Sequence, residues 1–161
     1  MEWRAMAPAE ACDLMDFWEI APWPLTRDQV QQLAVEWLGW TIEVENGVSY
    51  LMNRESGFTS PDVMTIGAKG ELSYLKFAVA DTIREVTPAS RRFLGDAFTL
   101  VVREGEGRWG TPVMRDFETT TSAKWATGSG GAISFSLSRK GFSGMFATPQ
   151  GVELDRKAQQ W

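Results

Sequence analysis

Histidine is absent from the 161-residue chain, and cysteine occurs once, at Cys12. Without histidine the chain lacks the commonest metal ligand and the one side chain whose unperturbed pKa lies near neutrality. Ser-His-Asp and Cys-His nucleophile arrangements are thereby excluded, and neither a zinc site nor any other cofactor is expected. A single cysteine leaves no intramolecular disulfide and no thiolate cage within one chain. No apolar run approaches the ~20 residues that cross a bilayer, so no membrane partner is expected. Acids interrupt the opening M-E-W-R-A-M-A-P-A-E-A-C-D-L-M-D, where a secretory signal needs an unbroken apolar stretch, and the expected location is the cytoplasm. Internal repeats, linkers and low-complexity tracts are missing as well. Of the standard catalytic pairings, only carboxylate chemistry of the kind that hydrolyses glycosides is left.

What is present is material for one core and an uneven charge. Hydrophobic residues make up 43% and charged residues 23%, proportions of a soluble globular protein. A chain of this length buries roughly 70% of its unfolded surface without staples. The expectation is a single domain over residues 1–161, with 1–20 as an N-terminal helical extension and 155–161 as a polar tail. The net charge of −5 is concentrated: residues 1–62 hold eleven Asp or Glu against three Arg, and the remainder ten acids against thirteen bases. A negative field repels a phosphate backbone, so nucleic acid is not an expected partner, whereas a basic protein would be steered toward the acidic third. The same acids equally read as solvated faces of early elements.

Eight tryptophans are also present, three of them in A-P-W-P-L-T-R-D-Q-V-Q-Q-L-A-V-E-W-L-G-W, residues 21–40. Trp23-Pro24 reads as extended, because a residue before proline is pushed out of the helical region. Thr26 with Gln29 forms a capping box, and Leu25 with Val30 occupies the positions of a hydrophobic staple. Val30, Leu33, Ala34, Trp37 and Leu38 then recur at helical spacing until Gly39 stops the helix. This places Trp37 on the buried stripe, with Trp23 and Trp40 closing the two ends. Beyond Trp40 the period becomes alternating. Thr41 to Glu45 and Val48 to Asn53 flank Asn46-Gly47, a pair suited to the positive dihedrals of a type I′ hairpin turn. Val63 to Ile66 and Leu72 to Val79 predict further strands around Ala68-Lys69-Gly70.

Thr87 with Pro88 predicts a second helix running through Phe93, Leu94, Ala97, Phe98 and Val101. The stretch E-G-E-G-R-W-G-T-P reads as a loop after it. Thr119 to Thr127, Ala132 to Ser138 and Phe142 to Thr148, separated by glycine-containing turns, predict an antiparallel meander. Its middle run alternates Ile133, Phe135 and Leu137 with three serines, so one face is buried and one is wet. The fold class is α+β: an antiparallel sheet of about six strands with helices packed on one side, in the order α-βββ-α-βββ. A short helix around Ala9 to Asp16 precedes it.

Glu43 and Glu45, two apart on one strand, share a face, where like charges raise one pKa. As a catalytic dyad they require a cleft and a turnover that disappears on Glu43→Gln; as an acidic stripe they dock a basic surface. Gly105, Gly107 and Gly110 match G-x-G-x-x-G superficially, but the run follows a helix where the nucleotide fingerprint follows a strand. Serines and threonines at 119–122, 134, 136 and 138 have no base to activate them and read as a solvated face. Trp109, in the loop R-W-G, is a candidate interface anchor, since tryptophan is enriched at binding hot spots. Candidate partner-binding residues are therefore Glu43, Glu45, Asp28, Glu36 and Trp109, with no catalytic, cofactor or metal residue.

The W-P-L-T helix ending in L-G-W, the strand pair after it, the L-K-F-A-V-A-D-T stretch, and the helix leading to G-x-P and a late strand with Trp125 together resemble a family of small actinobacterial proteins of unknown function. The resemblance covers the chain from about Trp18 onward. Members are often encoded singly or near polymorphic-toxin and WXG-type secretion genes, and by association the resemblance implies an immunity role: a non-enzymatic cytoplasmic protein that binds a cognate toxin, basic and nuclease-like or NAD-consuming, and covers its active site. The alternative it implies is a secretion chaperone or adaptor for a secreted effector. The family's motifs are structural and transfer no active-site residue.

Overall fold

The computed structural model describes residues 3–52, 63–68 and 70–158. Its elements run α1 (Pro8–Glu19), α2 (Arg27–Leu38), β1 (Thr41–Glu45), β2 (Val48–Met52), β3 (Val63–Ala68), β4 (Glu71–Ala78), α3 (Pro88–Trp109), β5 (Val113–Phe117), β6 (Thr120–Ala126), β7 (Ala132–Leu137), β8 (Phe142–Ala147) and α4 (Pro149–Ala158). Six strands form one antiparallel sheet in the order β3-β4-β8-β7-β6-β5, and β1 and β2 form a separate hairpin. The fold is therefore α+β with a six-stranded antiparallel sheet and helices on one side, as the sequence predicts. Four strands stand on each side of α3, where the sequence order allowed three. All four before α3 are runs the sequence marks as strands, with the β1–β2 hairpin staying out of the main sheet, and the one that the sequence does not mark is β5.

Local signals explain the helix boundaries. Gln29 N–H donates to Thr26 Oγ1 while Thr26 N–H donates to Gln29 Oε1, so both halves of the α2 capping box form. Gly39 ends α2 in the left-handed conformation with φ 70°, which costs a residue lacking Cβ little. Thr87 and Ser90 cap α3 reciprocally, with Pro88 in its first turn. Asn46 and Gly47 both take positive φ between β1 and β2.

The core lies between the sheet and the helices α1 and α3. Alternation along β7 and β8 turns Ile133, Phe135, Phe142 and Phe146 inward, all buried. Gly144 lets α1 approach: a Cβ there would stand 2.8 Å from Met15 Cε and 2.9 Å from Phe77 Cζ. Ala11, Cys12, Met15 and Trp18 of α1 are fully buried, so residues 8–19 are part of the core. Burial pushes the Cys12 thiol up to about 12, against the opposing pull of Arg108. The chain before α1 is tied to the sheet as well, through an antiparallel bridge between Ala5 and Ala80. At the other end of the chain α4 closes the end of β4 and β8. Tyr74 donates to Asp155 Oδ1 at 2.5 Å, and burial together with that bond raises its phenol to about 12.

Two expectations fail. α3 does not stop near Val101 but continues through E-G-E-G-R-W to Trp109. Gly105, which argues for a loop in the sequence, is what lets this helix reach the sheet: a Cβ there would lie 2.9 Å from the Trp125 ring and 3.0 Å from that of Trp109. Nor is Trp37 a core residue, since 72% of it is exposed, and Trp40, 2% exposed, takes the place in the core. Trp18 and Trp40 approach with centroids 6.0 Å apart, and Trp23 stacks on Phe146 at 5.8 Å.

Candidate partner-binding surface

The exposure of Trp37 follows from how α2 sits. Val30, Gln31 and Ala34 are its buried positions, so the inward face is turned toward Gln31 and away from the Leu33 side. In the last turn this leaves Trp37 outside, and Gly39 then swings the chain so that Trp40 enters the core. β1 follows directly. Ile42 and Val44 share one side of it and are both exposed, Val44 by 72%; Glu43 alternates to the opposite side and is exposed too. The hairpin thus offers aliphatic and acidic sides from one strand.

Among the sequence-predicted residues, Asp28 is exposed in the first turn of α2, where a carboxylate complements the helix dipole. Glu36, one residue before Trp37, is exposed and accepts from Gln32 Nε2 at 3.2 Å. Asp28, Glu36 and Glu43 therefore belong to the two consecutive elements that flank Gly39, with Asp28 on the side of α2 opposite Trp37 by helical spacing. The side chain of Glu45 lies outside the described residues. As for a cleft beside the Glu43–Glu45 pair, the cavity of about 560 Å³ found on the sheet is lined by other residues.

Trp109 is not a loop anchor. It ends α3, half-buried against the core, and its Nε1 donates to Asp16 Oδ1 at 2.8 Å. Its ring meets Trp125 edge to face at 5.1 Å. Next to it Arg108 bridges Asp13 at 2.7 Å, Asp16 at 2.9 Å and Glu104 at 2.9 Å, which hold its guanidinium further above its ordinary pKa. Glu19 accepts from both the backbone N–H and the hydroxyl of Ser129. Much of the acidic first third is thus engaged inside the molecule. Asp13, Asp16 and Glu19 fasten α1 to α3 and to the β6–β7 turn, while Glu10 of α1, Asp28 and Glu36 of α2 and Glu43 of β1 are exposed.

The sequence reading missed the apolar members of this surface, Ile42 and Val44. It also missed the edge strand β5, whose five residues are all exposed, with Phe117 at 75% and Val113 at 61%. The available signal for the first was the hairpin itself, since a two-stranded ribbon buries at most one side.

Among the described residues there is no group of three or more Cys, Asp or Glu placed to hold a metal ion, and no helix long and apolar enough to cross a membrane. No curated protein and no solved structure matches the chain. The model of one protein family does match, over residues 9–143, which takes in α1 through most of the meander, and the chain belongs to that family, DUF6301, a family of unknown function.

Proposed function

We propose that this protein is a cytoplasmic immunity protein, which binds a basic toxin domain through the surface of α2 and β1 and covers the toxin's active site. The observation that carries the reading is Trp37. An indole 72% exposed on a capped helix keeps its apolar area in water and forgoes the gain of burial, and tryptophan is among the residues enriched at binding hot spots. Ile42 and Val44 add exposed aliphatic area on the next element, and Asp28, Glu36 and Glu43 are exposed carboxylates of the same two elements, whose negative field steers a basic partner. Binding of this kind uses no catalytic group of its own. The toxin as occupant is supported by the sequence resemblance to proteins encoded beside polymorphic-toxin and WXG-type secretion genes; a nuclease-like or NAD-consuming domain has the basic surface such a field would match.

The test is to mix the protein with the isolated catalytic domain of the toxin encoded next to its gene. A stoichiometric complex with loss of toxin activity is expected, and Trp37→Ala should weaken it by roughly 30-fold or more, about 2 kcal/mol. A complex that forms only with a non-catalytic segment of the secreted protein would make this chain a secretion chaperone instead. No complex with either would end the proposal for that pair.

A further inference from the structure

The side of the sheet turned away from α1 and α3 has the opposite character. Alternation and register place one row across all six strands, Met64–Lys76–Met145–Ser134–Lys124–Val113. Arg115 stands diagonally beside Lys124 on the same face. Lys76, Lys124 and Arg115 enter no ion pair among the described residues. The six strands contain only two acids, Glu71 and Asp116. Asp116 alternates to the other side, where it accepts from Thr121, and Glu71 stands at the β3–β4 turn. Among the described carboxylates at its border, Asp155 accepts from Tyr74 and Glu118 stands in the β5–β6 turn. A chain of net charge −5 therefore presents a face with three cations that have no ion-pair partner among the described residues, a row of hydroxyls and interleaved apolar side chains, and a cleft of about 560 Å³ opens against it beside Lys76, Ser136 and Ser143.

We infer that this face is a second docking surface, and that its occupant is an acidic polypeptide segment of a partner protein. The inference is independent of the α2–β1 reading and concerns the opposite sign of charge. Lys76 and Lys124 are three strand spacings apart, about 14 Å, too far for one small anion to bridge. An extended acidic segment spans that distance in about four residues, placing carboxylates on both cations with apolar side chains over Met145 between them. Nucleic acid is disfavoured, because the field of the whole molecule is negative and the exposed ring on this side, Phe117, sits at the far edge rather than among the cations. The surface has the composition of a polar docking face: unpaired charges to orient, hydroxyls to bond backbone, methionines to adapt.

The experiment is a titration of the full chain with a labelled 15-residue poly-Glu peptide, with poly-Lys, a 15-mer of deoxythymidine and inorganic phosphate run alongside, and amide shifts mapped by NMR. The expected result is poly-Glu binding, with shifts at Lys76, Ser134 and Lys124, weakened several-fold between about 50 and 300 mM salt because exposed charges are screened. The double variant Lys76→Glu with Lys124→Glu should lose at least ten-fold in affinity. Should that pair fail to fold, Lys76→Gln with Lys124→Gln should give a smaller loss in the same direction. The idea is overturned by no poly-Glu binding at millimolar peptide, by shifts confined to another surface, by an unchanged affinity in the folded double variant, or by tighter binding of the deoxythymidine 15-mer or of phosphate than of poly-Glu.

Discussion

The indole of Trp109 donates to Asp16 Oδ1 at 2.8 Å, joining the last turn of α3 to α1 across 93 residues of sequence. Beside it Arg108 reaches Asp13, Asp16 and Glu104. The two neighbours hold α1 by different physics, one by a ring packed on Trp125 with a single directed bond, the other by charge.

That difference is measurable. Trp109→Phe keeps most of the ring and removes the donor, so it should cost about 1 kcal/mol, the discounted worth of a half-exposed bond to a carboxylate. Arg108→Ala removes three partly exposed pairs and leaves three carboxylates facing one another, which should also cost about 1–2 kcal/mol. Chemical denaturation at low and high salt separates them. The Arg108→Ala deficit should shrink in about 1 M salt, where surface pairs are screened, whereas the Trp109→Phe deficit should persist.

A second expectation concerns Cys12. Its thiol is raised from 9.0 to about 12 by burial. A proton held more tightly in the folded state means stability present in full below about pH 9, the unfolded value, and lost as pH rises toward 12. The slope in that window should approach about 1.4 kcal/mol per pH unit from this one group. Cys12→Ala should remove the slope between pH 9 and 10, before the Tyr74 phenol adds its own above 10. Urea denaturation at closely spaced pH values reads it directly; an equal slope in the variant would contradict this account.

How much was legible in the sequence depends on whether a residue's partners are local. The α2 cap, the Gly39 stop, the Asn46-Gly47 turn and the serine face of β7 all rest on neighbours a few positions away, and all form. Gly105 was misread because its reason for being glycine is Trp125, on another element. Asp13, Asp16 and Glu19 looked like a solvent-facing or partner-facing charge, but their partners Arg108 and Ser129 lie far along the chain. Of the candidate surface, Asp28, Glu36 and Glu43 were legible as exposed acids. The basic face of the sheet was not, because it exists only once six strands are in register.

α4 offers a test of packing at the sheet's end. A Cβ on Gly151 would stand 2.1 Å from the Ser73 carbonyl oxygen, which is backbone and cannot turn aside. Gly151→Ala should therefore lift α4 and cost about 1–3 kcal/mol, the usual range for overpacking. With α4 displaced, Tyr74 loses burial and Asp155 together, so its phenol should fall from about 12 back toward 10. Ultraviolet titration of the variant against the parent follows that shift, and a phenol still near 12 would show that α4 stayed in place.

The clearest contrast is between two tryptophans three residues apart. Trp37 and Trp40 stand on either side of the Gly39 stop, yet one is 72% exposed and the other 2%. Periodicity assigned Trp37 to the core because Val30, Leu33, Ala34, Trp37 and Leu38 fall on one stripe. The structure turns the helix toward Gln31, a polar residue no hydrophobic pattern would weigh, and the helix ends before its next turn could cover Trp37. Trp40→Ala empties a site against Trp18 and should cost about 3–5 kcal/mol, or roughly 10 °C in melting temperature for a domain of this size. Trp37→Ala should leave stability within about 0.5 kcal/mol while weakening the proposed toxin complex by roughly 30-fold or more. Thermal melts and a binding assay on the two variants decide it. Equal destabilisation by both would mean that Trp37 is structural, and undiminished binding by a stable Trp37→Ala would take the α2–β1 surface out of the proposed interface.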